Sequence, residues 1–428
     1  MSLIAVVGMW HLGTVTAACL ASAGHSVIGL DEDASVISEL AKAHPPVAEP
    51  GLAEMICQEC EAGRLRFSQH IDNAAGCDIV WIAFDTPVDD NDVADIEFVH
   101  RRCLEVLKHA SDGTVFVISS QMPVGSIARL EREFAPLARG RHIYFACAPE
   151  NLRLGEALEV FLRPDRVVLG VRDLATRIAL ETVYHTFTDH IVWMSIESAE
   201  MTKHSINAFL ATSVCFINEI AAMCEITGAN ISEVERGLKT DNRIGKRAYL
   251  RAGGAIAGGT LARDVTFLQS LGEDASVRLP LINGVRESNE LHKTWLQRRI
   301  LEALGSLSDR RIAILGLTYK PGTSTLRRSA AVEIAQWLSN KGASVRAYDP
   351  QVSELPDELL PVIALSSNIV DVLDRIDALV VMTPWPEFQL IDPALVPIIV
   401  FDPTRFIENI ISTRIDIRYY SVGGRFDA

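Results

Sequence analysis

The sequence has few cysteines, no uninterrupted apolar run of membrane length and no block of basic charge. Each shortage excludes a class of protein. Eight cysteines are scattered over 428 residues. The closest pair, Cys57 and Cys60, is a C-x-x-C with no second pair or histidine at zinc-ligand spacing, so neither a disulfide scaffold nor a metal site is expected. The thiols read as those of a reduced, cytoplasmic protein. No apolar run approaches the roughly 18 residues of a membrane span, and the start, Met1 to Gly8, lacks the basic opening and long apolar core of a signal peptide. A membrane partner is therefore not expected. Lys and Arg number 40 against 55 Asp and Glu, a formal charge of −15, which argues against a nucleic-acid partner. A polyanionic ligand stays open, because helix N-termini and a few placed cations can hold phosphates locally.

What is present is an ordinary globular composition, 48% hydrophobic and 22% charged. At about 150 residues per domain, the length predicts two or three domains. Strand-like runs at 3–7, 26–30, 79–83, 114–118 and 143–147 alternate with helix-like stretches, the rhythm of a parallel, doubly wound sheet. From 198 to about 225 the apolar positions follow helical spacing without Pro or Gly, with Ser195 or Ser198 as a cap and Gly228 as a stop. After Gly305 the alternation restarts, with strands at 311–315, 344–348, 378–382 and 398–401. Both ends carry the same strand–Gly–helix–strand–Asp pattern, Gly8 to Asp31 and Gly316 to Asp349. The fold class is α/β: two Rossmann-like doubly wound domains joined by a long central helix and a helical middle region. The expected boundaries are 1–195, 196–300 and 301–428.

Gly8-Met9-Trp10-His11-Leu12-Gly13 lies between a strand and a helix. The dinucleotide fingerprint is G-x-G-x-x-G in that setting, with an acid about 20 residues on. Asp31 lies 23 residues past Gly8. It would take the adenosine ribose hydroxyls and repel a 2′-phosphate, which favours NAD. The fingerprint is imperfect, because Trp10 stands at its middle glycine.

Further motifs extend over almost the whole chain. Pro46-Val47-Ala48-Glu49-Pro50-Gly51-Leu52, Thr86-Pro87, Ser120-Gln121-Met122-Pro123-Val124-Gly125 and Pro149-Glu150-Asn151-Leu152-Arg153 occur in the first part. Glu200-Met201-Thr202-Lys203, Asn207-Ala208-Phe209 and Phe216-Ile217-Asn218-Glu219 lie on the long helix, followed by Asp241-Asn242-Arg243-Ile244-Gly245. Gly316-Leu317-Thr318-Tyr319-Lys320-Pro321, Arg327, Tyr348-Asp349-Pro350 and Thr383-Pro384-Trp385-Pro386-Glu387-Phe388 complete the series. In this order the chain resembles the UDP-glucose/GDP-mannose dehydrogenase family, NAD-dependent enzymes that oxidise the C6 alcohol of a nucleotide-linked hexose to a carboxylate through a cysteine thioester.

The resemblance implies NAD as cofactor, held by Gly8, Trp10, His11, Leu12, Gly13 and Asp31 with Thr86 and Gln121. It implies Lys203 as the cation opposite the developing oxyanion, Lys203 with Asn207 and Asp264 as the holders of a water, and Glu150 as general base of the hydrolysis step. Leu152, Arg153, Arg243, Gly258, Lys320 and Arg327 would bind a UDP-sugar or related nucleotide sugar, with Arg405 a weaker candidate. The informative departure is at the nucleophile. The family's cysteine segment corresponds to Gly258-Gly259-Thr260-Leu261-Ala262-Arg263-Asp264, and the cysteine position is Thr260. An alcohol is not appreciably ionised near neutral pH without a strong base beside it, whereas a thiol is within reach. Cys147, three residues before Glu150, is a speculative stand-in. Leu154, Ser324 and Thr325 also stand where the family usually has acids.

The expected activity is oxidation of a hydroxyl of a UDP-hexose, of the UDP-glucose 6-dehydrogenase type, favoured to stop after one two-electron step. The alternative is a catalytically silent nucleotide-sugar or NAD-binding protein of the same fold. The long helix is expected to pack against its counterpart in a homodimer.

Overall fold

Alternating burial along short apolar strands decides the architecture. In the first strand, β1 (Leu3–Val7), Ile4 and Val6 enter one core while Ala5 and Val7 enter another. That is the period-two geometry of a strand covered on both faces. The computed structural model describes residues 1–87, 89, 94–150, 152–257 and 259–424. By compactness it divides in two, Met1–Ile206 and Asn207–Ala428.

In the first unit β1 is followed by β2 (Ser26–Leu30), β3 (Leu65–Ser68), β4 (Ile79–Ile82), β5 (Val115–Ile118), β6 (Tyr144–Cys147), β7 (Val167–Val171) and β8 (Ile191–Met194). Their spatial order is β3-β2-β1-β4-β5-β6-β7-β8. The first six form the doubly wound order that binds nucleotides at the carboxyl ends of its strands. The sheet is not wholly parallel, as the sequence rhythm suggests. β7 runs antiparallel to β6, pairing Cys147 with Gly170, and β8 is parallel to β7. Gly170 explains how this edge meets the next helix. A Cβ there would lie 2.8 Å from Ile196 Cα and 2.7 Å from Ala199 Cβ, so only a bare backbone lets the strand approach.

The long helix runs Ile196–Thr227, 32 residues against the 28 or so read from the sequence. At 1.5 Å per residue it is about 48 Å long. Its start is fixed by Ser195, whose Oγ accepts from the Ser198 N–H at 3.2 Å. It ends where Gly228 adopts φ +76°. In length and mean hydropathy, 1.5 over its most apolar window, it meets the description of a membrane-crossing helix, which the absence of an apolar run had seemed to exclude. Two of its charged residues, Glu200 and Lys203, nevertheless line a cavity of the first unit, and Ala208, Ala211 and Cys215 pack on Val265 and Val285 in the second.

The second unit holds β9 (Arg311–Leu315), β10 (Ser344–Tyr348), β11 (Ile363–Leu365), β12 (Ala378–Val381), β13 (Ile399–Phe401) and β14 (Arg418–Tyr420), all parallel, in the order β11-β10-β9-β12-β13-β14. This repeats the first six strands of the first unit. Here too the alternation is complete: Ile312 and Ile314 face one core, Ala313 and Leu315 the other. The helical middle, including Ile231–Thr240, Thr260–Asp274 and Pro280–Lys293, falls within this unit.

Gly13 sits where the helix His11–Ser22 passes the loop that precedes it. A Cβ at this position would lie 1.8 Å from Gly8 O. Gly24, at φ +91°, has nothing within 4 Å of the same added atom. Gly13→Ala is therefore expected to lower stability by more than about 3 kcal/mol, and Gly24→Ala by about 1 kcal/mol from backbone strain alone. Thermal unfolding of the two variants side by side checks the difference.

Candidate functional site

The first cluster is the glycine loop. Gly8 has φ +95°, and a Cβ on it would come within 2.9 Å of Phe84 N, so the loop lies directly against the chain leaving β4. Asp31, at the end of β2, ties the loop from the other side. Its Oδ2 accepts the Met9 N–H at 2.7 Å and its Oδ1 the Asp33 N–H at 3.0 Å. Trp10 occupies the helix N-cap with φ −89°, a conformation open to any residue, and its side chain makes no capping bond. Its indole is 50% exposed. A glycine at this position is thus not required by the backbone. The amides of the first turn are left without a side-chain cap, as a bound pyrophosphate needs. With Leu12 buried behind them, these residues fit a dinucleotide.

His11 reaches outward to Glu49, with Nε2 3.0 Å from Oε2. Glu49 is buried, and it also accepts the Gly155 and Ala157 amides at 2.9 and 2.7 Å. Burial pushes its pKa up, but the bonds from Gly155, His11 and Ala157 outweigh that and hold the carboxyl below its usual range. One carboxylate therefore pins the 46–52 segment, the glycine loop and the start of the helix Ala157–Leu162. Among the predicted cofactor residues Thr86 and Gln121 are joined directly, the Thr86 hydroxyl donating to Gln121 O at 2.6 Å.

The second cluster surrounds a small cavity of about 30 Å³ lined by Gln121, Cys147, Pro149, Glu150, Glu200 and Lys203 among others. The structure thus brings the predicted Lys203 and Glu150 to one cavity. The Glu150 carboxylate accepts the Leu152 N–H. Glu200, quoted in the sequence only as part of a motif, proves to be a buried anchor. It takes the Gly125 N–H at 2.7 Å and the Ile127 N–H at 3.1 Å. Burial raises its pKa against the pull of those two bonds. The neighbouring His204 bonds Met122 O at 2.9 Å through Nε2. Cys147, the speculative stand-in, sits in an apolar setting. It is buried, and burial, followed by Glu200 and Glu197, raises its thiol pKa well above the ordinary value, the environment of an inert thiol. Leu152 packs on the first core and Arg153 is exposed beside Glu156, 3.7 Å away.

The third cluster belongs to the second unit. Asn207 and Asp264 are both buried, and Asn207 Nδ2 donates to Asp264 Oδ2. Thr260 is the first residue of the helix Thr260–Asp274, one turn before Asp264. It is exposed and lines a cavity of about 640 Å³ together with Tyr249, Leu250, Arg251, Tyr319 and Phe406. No cysteine, carboxylate or imidazole is among the described residues lining it. Gly258 lies outside the described residues. Lys320 and Arg327 are in the loop after β9 but do not line this cavity. Arg243 is 90% exposed and paired with its own neighbour Asp241 at 2.7 Å, so this chain does not bring it to either cluster. Arg405, the weaker binding candidate, is part-buried and paired with Glu235 at 2.9 Å, between the cavity-lining Thr404 and Phe406.

The second unit repeats the glycine–aspartate device. Gly316 has φ +86°, and a Cβ there would lie 2.5 Å from Thr383 N. Asp349 Oδ2 accepts from the Leu317 and Thr318 amides, the Thr318 hydroxyl and the Trp385 indole at 2.8–3.0 Å. Its Oδ1 accepts the Gln351 amide at 2.9 Å.

Residues 2–188 match the NAD binding domain of the UDP-glucose/GDP-mannose dehydrogenase family, 197–291 its central domain and 313–409 its UDP binding domain. A UDP-glucose 6-dehydrogenase of Rhizobium meliloti is 34% identical over 400 residues, covering 91% of each chain. One of Rickettsia typhi is 34% identical over 435 residues, covering 99% of each. The solved structure of a UDP-glucose dehydrogenase from Pyrobaculum islandicum superposes with a TM-score of 0.88 at 27% identity, over 99% of this chain and 98% of that one.

Because the folded pKa of Glu49 lies below its unfolded value, its contribution is complete above about pH 4.3 and is lost as the pH falls through the depressed folded value. Glu49→Gln should cost about 1–3 kcal/mol at neutral pH. The gap from the unsubstituted chain should narrow on acidification below about pH 4. Denaturant unfolding at pH 7 and in the acid range measures it.

Proposed function

We propose that this chain, which belongs to the UDP-glucose/GDP-mannose dehydrogenase family, oxidises a hydroxyl of a UDP-hexose with NAD and stops after one two-electron step, at an aldehyde or ketone. The observation that carries the limit is the setting of Thr260. Thr260 lines a large cavity whose described lining residues include no thiol to replace it and no carboxylate or imidazole to ionise it. A helix N-terminus can lower the pKa of a nearby acid, but not by the many units separating an alcohol from neutrality.

The rest of the step needs no covalent adduct. Bound NAD would supply the acceptor for the hydride leaving the carbinol carbon. Lys203 faces the charge that develops on the sugar oxygen, where a cation in a small, partly desolvated cavity acts more strongly than in water. Glu150, on the same cavity, is the base that takes the hydroxyl proton. Asn207 and Asp264 hold each other and orient a water. Lys320, Arg327 and Arg153 supply cations for the diphosphate, and Arg243 reaches the sugar of a neighbouring subunit, consistent with its exposure. Eight free thiols suit a reduced, cytoplasmic setting.

A homodimer through the long helix is supported by its exposed face. Phe209, Phe216 and Met223 recur every seven residues, joined by Ile226, and are 69%, 46%, 54% and 78% exposed. An apolar stripe at that spacing is a helix–helix contact in waiting.

The stoichiometry of NADH to sugar with a panel of UDP-hexoses, with mass spectrometry of the product, tests the reaction. One NADH per sugar is expected, with Lys203→Ala reducing kcat/KM by about 10²–10³. Two NADH and a uronate would refute the truncated reaction, and sugar binding without any NADH would favour a silent binding protein. Light scattering tests the dimer: Phe216→Glu with Met223→Glu should give a monomer at micromolar concentration from a dimeric parent.

A further inference from the structure

The adenosine end of the first unit contains an arginine that an NAD site does not need. A small cavity of about 10 Å³ at the carboxyl ends of the central strands is lined by Leu30, Asp31, Glu32, Ile71, Phe84 and Arg102. Leu30, Ile71 and Phe84 give it apolar walls, and Asp31 is the acid of the nucleotide fingerprint. Arg102 comes from the helix Ile96–Leu107. Its guanidinium lies 5.5 Å from the centre of the Phe84 ring, the residue against which the glycine loop rests.

Sites for the two dinucleotides differ at one chemical point. An acid hydrogen-bonds the ribose hydroxyls of NAD, whereas an arginine accommodates the 2′-phosphate of NADP. This chain carries both groups on one cavity. The arginine is occupied: its Nη1 is 2.7 Å from Glu32 Oε2 and 3.0 Å from Glu105 Oε2. Its Nε is buried and has no hydrogen-bond partner among the described residues. Glu32 directly follows the ribose acid, so two adjacent carboxylates stand at the end of β2.

We propose that Glu32 is a specificity-determining residue: it holds Arg102 in an ion pair and so withholds from a 2′-phosphate a cation otherwise poised to bind it. Asp31 secures affinity for the ribose hydroxyls, and Glu32 secures the exclusion of NADP. A discriminating site is built from a repulsive element as well as an attractive one, and here the repulsive element works by neutralising an arginine as well as by its own charge. Glu105 keeps Arg102 in place when Glu32 is removed.

The inference rests on reading this loop as the adenosine end of the NAD site. Isothermal titration of the full chain with NADH and NADPH tests both and separates them. The Glu32 side chain is 52% exposed, so Glu32→Gln should fold, and Glu32→Ala serves as a second variant. On the proposal each lowers the ratio of the NADPH to the NADH dissociation constant at least tenfold, with NADH binding changed less than threefold. The gain should vanish in the double variant Glu32→Gln with Arg102→Ala. A ratio lowered less than tenfold in both single variants, or a gain that survives the loss of Arg102, would overturn the proposal while leaving the NAD site intact. Failure of the unsubstituted chain to bind NADH would overturn the reading of the loop, and this inference with it.

Discussion

In each half of the molecule, a carboxylate at the end of the second strand grips the amide that follows the first glycine. Asp31 holds Met9 and Asp349 holds Leu317. The grip only works because Gly8 and Gly316 bear no side chain, lying against Phe84 and Thr383 at distances no Cβ could share. Strand order, glycine loop and aspartate form one unit of construction used twice. What differs is how much acceptor capacity remains. Asp349 Oδ2 receives four donors and its Oδ1 a fifth, which makes it a structural pin. Asp31 receives one backbone amide on each oxygen. A carboxylate has about four lone-pair sites, so only the first copy retains acceptors for a ribose.

The fold class and the ends of the long helix were legible because they rest on local signals: apolar runs, glycine stops and serine caps. The antiparallel β7 was not. It is five residues long, and it pairs with β6 where Gly170 also meets the helix start, contacts distant in sequence that no local pattern announces. In the site, Lys203 and Glu150 were found by motif and share a cavity. The work of Glu49 was hidden, because Gly155 and Ala157 are more than a hundred residues away along the chain. Arg102 escaped for the same reason, since its partner Glu32 is seventy positions earlier. For Cys147, sequence position suggests proximity to Glu150 but says nothing of the burial that raises its thiol pKa.

Two environments thus bracket the question of the nucleophile. The Cys147 thiol near Glu150 is buried, and Thr260 at the helix start is exposed but carries only an alcohol. Neither local geometry compensates for the missing chemistry of the other. On the reading proposed above, a site that lacks a thiol but keeps a cation can still stabilise developing charge without a covalent step.

Trp10 gives the protein an optical property that the glycine of the dinucleotide fingerprint could not. Of six tryptophans, Trp81, Trp295 and Trp385 are buried, Trp193 and Trp337 are partly covered, and Trp10 stands half in water on the cofactor loop. A water-exposed indole emits to the red of the buried ones. Its emission overlaps the absorption band of a reduced nicotinamide, so the loop carries a native donor for resonance energy transfer, and occupancy of the site can be followed in the unlabelled chain by light alone.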